Sequence, residues 1–202
     1  MATVLPTKGN LLAEKRSREI AVTGYELMDR KRNILIRELM ALIDQAKDIR
    51  QRAAIMFPAA YAALRAANIA QGGCEDIAMA IETDSGINLR YRSVMGVEIP
   101  LISSDEKIPE KIPYGVVSTT AALDDAFIKF RKAKNLIRDL AETENAVYRL
   151  AYAVRKTQKR ANALKNIIIP RLNRSIAVIS ESLEEKEREE FVRLKVIKTR
   201  SR

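Results

Sequence analysis

Two long stretches of the chain repeat apolar residues at a helical period, and a short stretch between them alternates. In residues 10–71, Ile20, Leu27, Met28, Ile34, Leu35, Leu39, Leu42, Ala46 and Ile49 fall on one face of a helix at 100° per residue. Lys31 and Glu38 interrupt that face. The face continues through an alanine-rich run from Ala53 to Ala70, where Pro58 predicts a kink or a break. Thr7, after Pro6, is placed to cap the helix start, and Gly72-Gly73 supplies a stop.

The second stretch, residues 116–202, has no glycine and only Pro170. Ser118, Thr119 and Thr120 offer N-caps, with Asp124 and Asp125 near the positive end of the helix dipole. A heptad follows. Its a positions are Ala133, Leu140, Val147, Val154, Ala161 and Ile168, and its d positions are Leu136, Thr143, Leu150, Thr157 and Leu164. After Ile168 the stripe hops four residues to Leu172, then runs through Ile176, Ile179, Leu183, Phe191, Leu194 and Ile197. Such a hop reads as a stutter that locally unwinds a supercoil, with Pro170 adding a kink.

Unbroken, the second helix would be on the order of 130 Å long, whereas a compact globule of this length is about 45 Å across. A helix that long cannot bury its stripe on itself. Antiparallel pairing with the first helix is the economical solution, which places both termini at one end of a rod. The predicted fold is therefore mainly α: a long antiparallel two-helix coiled coil with a small β-hairpin and loop insert at one end. The divisions are residues 1–71, an N-terminal shaft helix; 72–117, a loop and hairpin head; and 118–202, a C-terminal shaft helix.

In the head, Asn88–Val94 and Val97–Ile102 alternate, with Met95-Gly96 as turn or bulge. A hairpin alone is marginal in water, so it must pack on the helices or on another chain. Residues 103–113 read as a polar, proline-containing loop.

Composition narrows the chemistry. Of 202 residues none is histidine or tryptophan and one is cysteine. The chain alone cannot build an imidazole base, a His-ligated metal site, a Cys zinc cluster or an internal disulfide. No glycine pattern cradles phosphate, so no cofactor, metal or catalytic residue is expected. Lone Cys74 reads as an inert thiol in a reducing cytoplasm. No apolar run suggests a signal peptide or a membrane-spanning helix.

Net charge is +10, distributed as +3 over residues 1–80, −2 over 81–118 and +9 over 119–202. The acidic run Glu181–Glu190 carries i,i+4 pairs and reads as a solvated or partner-facing surface. Lys129–Lys134 and Arg155–Arg160 could neutralise phosphates, but base-stacking aromatics and any nucleic-acid-binding signature are missing. A basic coiled coil that binds nucleic acid, or acts as a scaffold, is the alternative reading.

Four local signatures resemble one family in order along nearly the whole chain. Pro6-Thr7-Lys8 with Leu11-Leu12 resembles its N-terminal start, and Val94–Pro100 its mid-chain hairpin. Ile169-Pro170-Arg171-Leu172 resembles the proline-containing stretch of its C-terminal helix, and Glu187–Lys198 its closing signature. The family is the D subunit, the central rotor shaft or stalk, of V-type and archaeal A-type ATPases. Tyr25, after Gly24, stands where that family commonly has a histidine.

The resemblance implies a non-catalytic, cytoplasmic shaft, peripheral to the membrane. Its termini enter a hexamer of A and B subunits, and it links ATP hydrolysis or synthesis to H+ or Na+ movement through a membrane ring. The hairpin side would meet the small stalk F subunit and the funnel-shaped C subunit on the ring. No contact with nucleic acid and no membrane insertion are implied. Hexamer contacts would fall on Thr7, Lys8, Arg16, Arg30, Lys31, Arg174, Arg193, Lys195 and Lys198. Hairpin-side contacts would fall on Val94, Met95, Gly96, Val97, Ile99 and Pro100.

Overall fold

The computed structural model describes residues 5–81, 86–104, 114–115 and 119–200. Helix α1 (Lys8–Gln71) is followed by the short α2 (Glu75–Ala80), strands β1 (Ile87–Val94) and β2 (Val97–Ser104), and α3 (Ala121–Ala163). A π turn (Leu164–Ile168) leads into α4 (Ile169–Arg200). Ser118, a cap candidate, and residues 105–113 of the expected polar loop lie outside the described residues, whereas Ser103 and Ser104, also expected in that loop, extend β2 because they pair with Asn88 and Ile87.

The seam on α1 is a heptad. Ala21, Tyr25, Met28, Arg32, Leu35, Leu39, Leu42, Ala46, Ile49, Ala53, Met56, Ala60, Ala63 and Ala67 advance by alternating steps of four and three, and each is buried or half-buried. This corrects the 100° face. Ile20 is 72% exposed and Leu27 is 58% exposed, because a 3.5-residue seam drifts by about 20° per heptad from a straight-helix stripe. The helix also runs through Pro58 unbroken, and the exposed proline lies off the seam. Alanine at Ala53, Ala60, Ala63 and Ala67 makes this stretch apolar as well as narrow. As a result α1 contains an 18-residue window of mean hydropathy 1.3, long and apolar enough by composition to cross a membrane, contrary to the sequence expectation.

On α3 the expected a and d positions from Ala133 to Leu164 are all buried or half-buried. Thr143 is buried without penalty because its hydroxyl donates to the Asp139 carbonyl at 2.7 Å. Ile168, the next a position, is instead 40% exposed. The backbone N–H of Ile169 donates to the carbonyl of Leu164, five residues back, and so adds one residue to that turn. The buried stripe resumes one residue late, at Ile169, Leu172, Ile176, Ile179 and Leu183. The register change is thus a one-residue skip absorbed inside the helix, rather than a stutter after Ile168. The widened turn also makes room for Pro170, whose ring would crowd the carbonyl four residues earlier in a regular helix. Beyond Leu183 every described residue is exposed, including Phe191, Leu194 and Ile197, which the stripe had placed in the seam.

The chain forms two compact units, one of residues 1–34 with 154–202 and one of residues 35–153. Both are antiparallel pairings. In the first, the Lys8 amine meets the Glu187 carboxylate at 2.9 Å, Lys165 lies 5.6 Å from the Tyr25 ring centre, and Arg32 donates to Gln158 at 2.9 Å. Arg32 occupies a seam position, and Asp29 at 2.7 Å balances its charge. In the second, Arg50 pairs with Glu144, Tyr61 packs edge-on against Phe130 at 5.4 Å, and Thr120 reaches Gln71.

The second unit closes on a small core of Ala63, Ala67, Cys74, Leu123 and Ala126. Gly72 (φ 79°) and Gly73 (φ 129°) turn the chain there with backbone angles that L side chains rarely adopt. The Tyr114 hydroxyl donates to Asp124 at 2.7 Å, and its ring meets Phe127 edge-on at 5.7 Å. Burial, then the Asp124 carboxylate, hold the Tyr114 phenol above the usual tyrosine range.

Leu150, fully buried in the seam, should cost about 2–5 kcal/mol when changed to alanine. Ile20→Ala should cost no more than about 0.5 kcal/mol. Denaturant unfolding followed by circular dichroism separates these. A tyrosine proton retained in the folded state stabilises below the unfolded phenol value of 10.0 and loses that stability as pH rises past it. Melting temperatures between pH 9 and 11.5 should therefore fall more steeply for the native chain than for Tyr114→Phe.

Candidate functional site

Two surfaces carry chemistry that the fold itself does not consume. The first lies in the unit that holds both chain ends. Thr7 caps α1: its hydroxyl accepts the Asn10 N–H at 3.2 Å and its carbonyl accepts the Leu11 N–H at 3.0 Å. Glu187 holds the Lys8 amine above the usual lysine range, through a direct hydrogen bond and its charge. Because α1 begins at Lys8, opposite Glu187, the last turns of α4 extend past the start of their partner helix. They expose Phe191, Val192, Leu194, Val196 and Ile197 among charges. Arg188 pairs with Glu184 at 3.8 Å and Arg193 with Glu189 at 3.6 Å, both along the helix. Lys198 and Arg200 complement the negative end of the dipole.

All nine sequence-predicted residues at the chain ends fall in this one unit. Lys8, Arg16, Arg30, Arg174, Arg193, Lys195 and Lys198 are exposed, and Lys31 is half-buried. Sequence reasoning missed that the apolar residues of the α4 end are also displayed, because it extended the seam over them. The signal was the helix start itself: with Thr7 as its cap, α1 does not reach the last turns of an antiparallel partner.

The second surface is the hairpin. Val94 pairs with Val97, and Met95 (φ 51°) and Gly96 (φ 75°) form the two-residue turn. Both central residues are left-handed, as a primed hairpin turn requires. The β2 edge faces α3 and is chemically closed. Glu142 accepts the Ile102 N–H at 2.7 Å, and Arg149 donates to the Glu98 carbonyl at 3.1 Å. Glu142 and Arg149 are one heptad apart, so they line one side of the helix. Between these contacts sits Pro100, which has no N–H to leave unsatisfied. Arg149 also lies 5.6 Å from the Tyr91 ring centre.

Of the six hairpin residues expected at a partner surface, Ile99 and Pro100 are buried within this chain and Val94 and Val97 are half-buried. Met95 and Gly96 are exposed at the tip. Sequence reasoning missed the outward strand, where Ile87, Leu89, Arg90, Tyr91 and Arg92 are all exposed. Among the described residues no group of three or more His, Cys, Asp or Glu side chains is placed to hold a metal ion.

This architecture defines a class: long helices paired antiparallel within each unit, with a hairpin braced on α3 in the second, whose displayed surfaces suit protein partners. Within that class the chain belongs to the ATP synthase D-subunit family, whose model matches residues 10–199. It is 45% identical over 198 residues to the V-type ATP synthase D subunit of Thermotoga neapolitana, covering 97% of both chains. It is 38% identical over 199 residues to the A-type ATP synthase D subunit of Pyrococcus furiosus, covering 96% of this chain and 93% of that one. The A-type D subunit of Methanopyrus kandleri is 37% identical over 201 residues, covering 96% and 85%.

The brace gives a direct prediction. Glu142→Ala removes the acceptor of a half-buried backbone N–H, an effect of about 1–3 kcal/mol on the docked state. The amide of Ile102 should then exchange with solvent roughly tenfold faster or more, while the seam amides near Leu150 keep their protection.

Proposed function

We propose that this chain is the central rotor shaft of a V/A-type rotary ATPase. In this reading residues 1–71 and 118–202 form the shaft and residues 72–117 its head. The chain couples ATP hydrolysis or synthesis in a catalytic hexamer to H+ or Na+ translocation through a membrane ring. It is non-catalytic, cytoplasmic and peripheral to the membrane. The observation that carries the reading is the family match over nearly the whole chain, joined to an α4 end that displays apolar and charged residues beyond the reach of α1.

The chain ends, with Thr7, Lys8, Arg16, Arg30, Lys31, Arg174, Arg193, Lys195 and Lys198, enter the hexamer of A and B subunits. Paired helices supply torsional stiffness. The α4 end supplies interspersed charge and the displayed apolar side chains of Phe191, Val192, Leu194, Val196 and Ile197, which anchor the shaft in the hexamer. The basic bias of residues 119–202 would complement acidic loops inside the hexamer. The small F subunit and the funnel-shaped C subunit meet the hairpin side, where Met95 and Gly96 are displayed and Val94 and Val97 partly so.

Native mass measurement on a mixture with the matching A and B subunits should give one copy of this chain per hexamer. Removing residues 188–202 should weaken that association by at least roughly tenfold, the loss expected when several displayed apolar anchors go together. No association of the full chain at low salt would overturn the proposal. The nucleic-acid reading would then require a steep fall in DNA or RNA affinity with added salt.

A further inference from the structure

The two edges of the hairpin are treated in opposite ways. The β2 edge is sealed by Glu142, Arg149 and Pro100. The β1 edge is eight residues long, and every side chain on it except Val94 is exposed. It contains no proline and no bulge, the usual devices that block an edge. The two-residue turn sets Val94 opposite Val97 as a hydrogen-bonded pair, so Arg92 and Arg90 bond inward to Ile99 and Leu101. The backbone groups of Leu89, Tyr91 and Ser93 therefore point outward, free to accept another strand.

The side chains say what kind of strand. Ile87, Leu89 and Tyr91 lie on one face and Arg90 and Arg92 on the other. Among the described residues neither arginine has an ion-pair partner. An antiparallel pairing of two copies centred on Tyr91 is disfavoured, because it would set Arg90 against Arg92 twice, like charges directly opposite.

We propose that β1 is a docking edge that captures an extended segment of another protein, one that alternates acidic with apolar residues. Its carboxylates pair with Arg90 and Arg92. Its apolar side chains cover Leu89 and Tyr91, and its backbone bonds the outward groups of Leu89, Tyr91 and Ser93. This follows from the hairpin alone and does not depend on the rotor reading. Its failure would leave association with a hexamer untouched.

The test uses the full-length chain and an end-blocked peptide of four Glu-Val repeats, followed by NMR amide exchange. Exchange at Leu89, Tyr91 and Ser93 should slow by roughly tenfold or more, while Arg90 and Arg92, already bonded to β2, change little. A Lys-Val peptide should bind at least roughly tenfold more weakly, and the double variant Arg90→Glu, Arg92→Glu should reverse that preference. Methylating alternate backbone nitrogens of the Glu-Val peptide should abolish protection. The proposal is overturned if the three amides stay unprotected at saturating peptide, or if Glu-Val and Lys-Val bind the native chain equally. The second comparison needs no variant, so it stands even where charge reversal disturbs the fold.

Discussion

Each unit of this molecule depends on the seam between its two long helical stretches. Neither long helix can bury its apolar stripe alone, so each exists as a stable element only against the other. The stripe is thin: much of it on α1 is alanine, and on α3 it includes Thr143 and Thr157. Narrow residues bring the helices close but bury little area per position, so continuity has to do what bulk does elsewhere. That explains the π turn at Leu164–Ile168. One surplus residue would rotate the rest of α4 by about 100° and turn Ile179 out of the seam. A single widened turn absorbs that residue and keeps Leu172, Ile176, Ile179 and Leu183 facing inward.

The same seam decides what is left over for function. Its antiparallel register starts α1 opposite Glu187, so among the described residues the turns of α4 beyond Leu183 stay exposed. Its α3 flank supplies Glu142 and Arg149, which turn an otherwise marginal hairpin into a fixed feature with one sealed edge and one open one. Both displayed surfaces are by-products of where pairing stops or where a spare helix flank begins. Both display apolar and charged side chains side by side, which suits contact with other chains.

Much of this was legible before any coordinates. The heptad from Ala133 to Leu164, the Gly72-Gly73 stop and the hairpin follow from local chemistry that leaves few alternatives, while Met95-Gly96 reads as either turn or bulge. What failed did so because periodicity records which residues suit a helix face, not the repeat of the supercoil, where the partner runs out or which edge a neighbour meets. Ile20 and Leu27 fit a 100° face but not a 3.5-residue repeat, and Phe191, Leu194 and Ile197 fit the repeat but lie past the partner's end. Pro58 looked like a breaker, yet a proline off the seam removes one hydrogen bond without disturbing packing. The burial of Ile99 and Pro100 depends on which hairpin edge meets α3, a choice made by Glu142 and Arg149 some forty residues later.

The central claim is that this chain turns as a shaft. It can be watched directly in a complex of this chain with the A and B subunits alone, where the hairpin tip meets no other subunit. Met95 at the exposed hairpin tip is replaced by cysteine and carries a reporter bead, while buried Cys74 stays unlabelled. With the hexamer fixed to a surface, added ATP should drive stepwise rotation of the bead in one direction, at a rate that rises and saturates with ATP concentration. ATP turnover at full rate with a stationary bead would contradict the account.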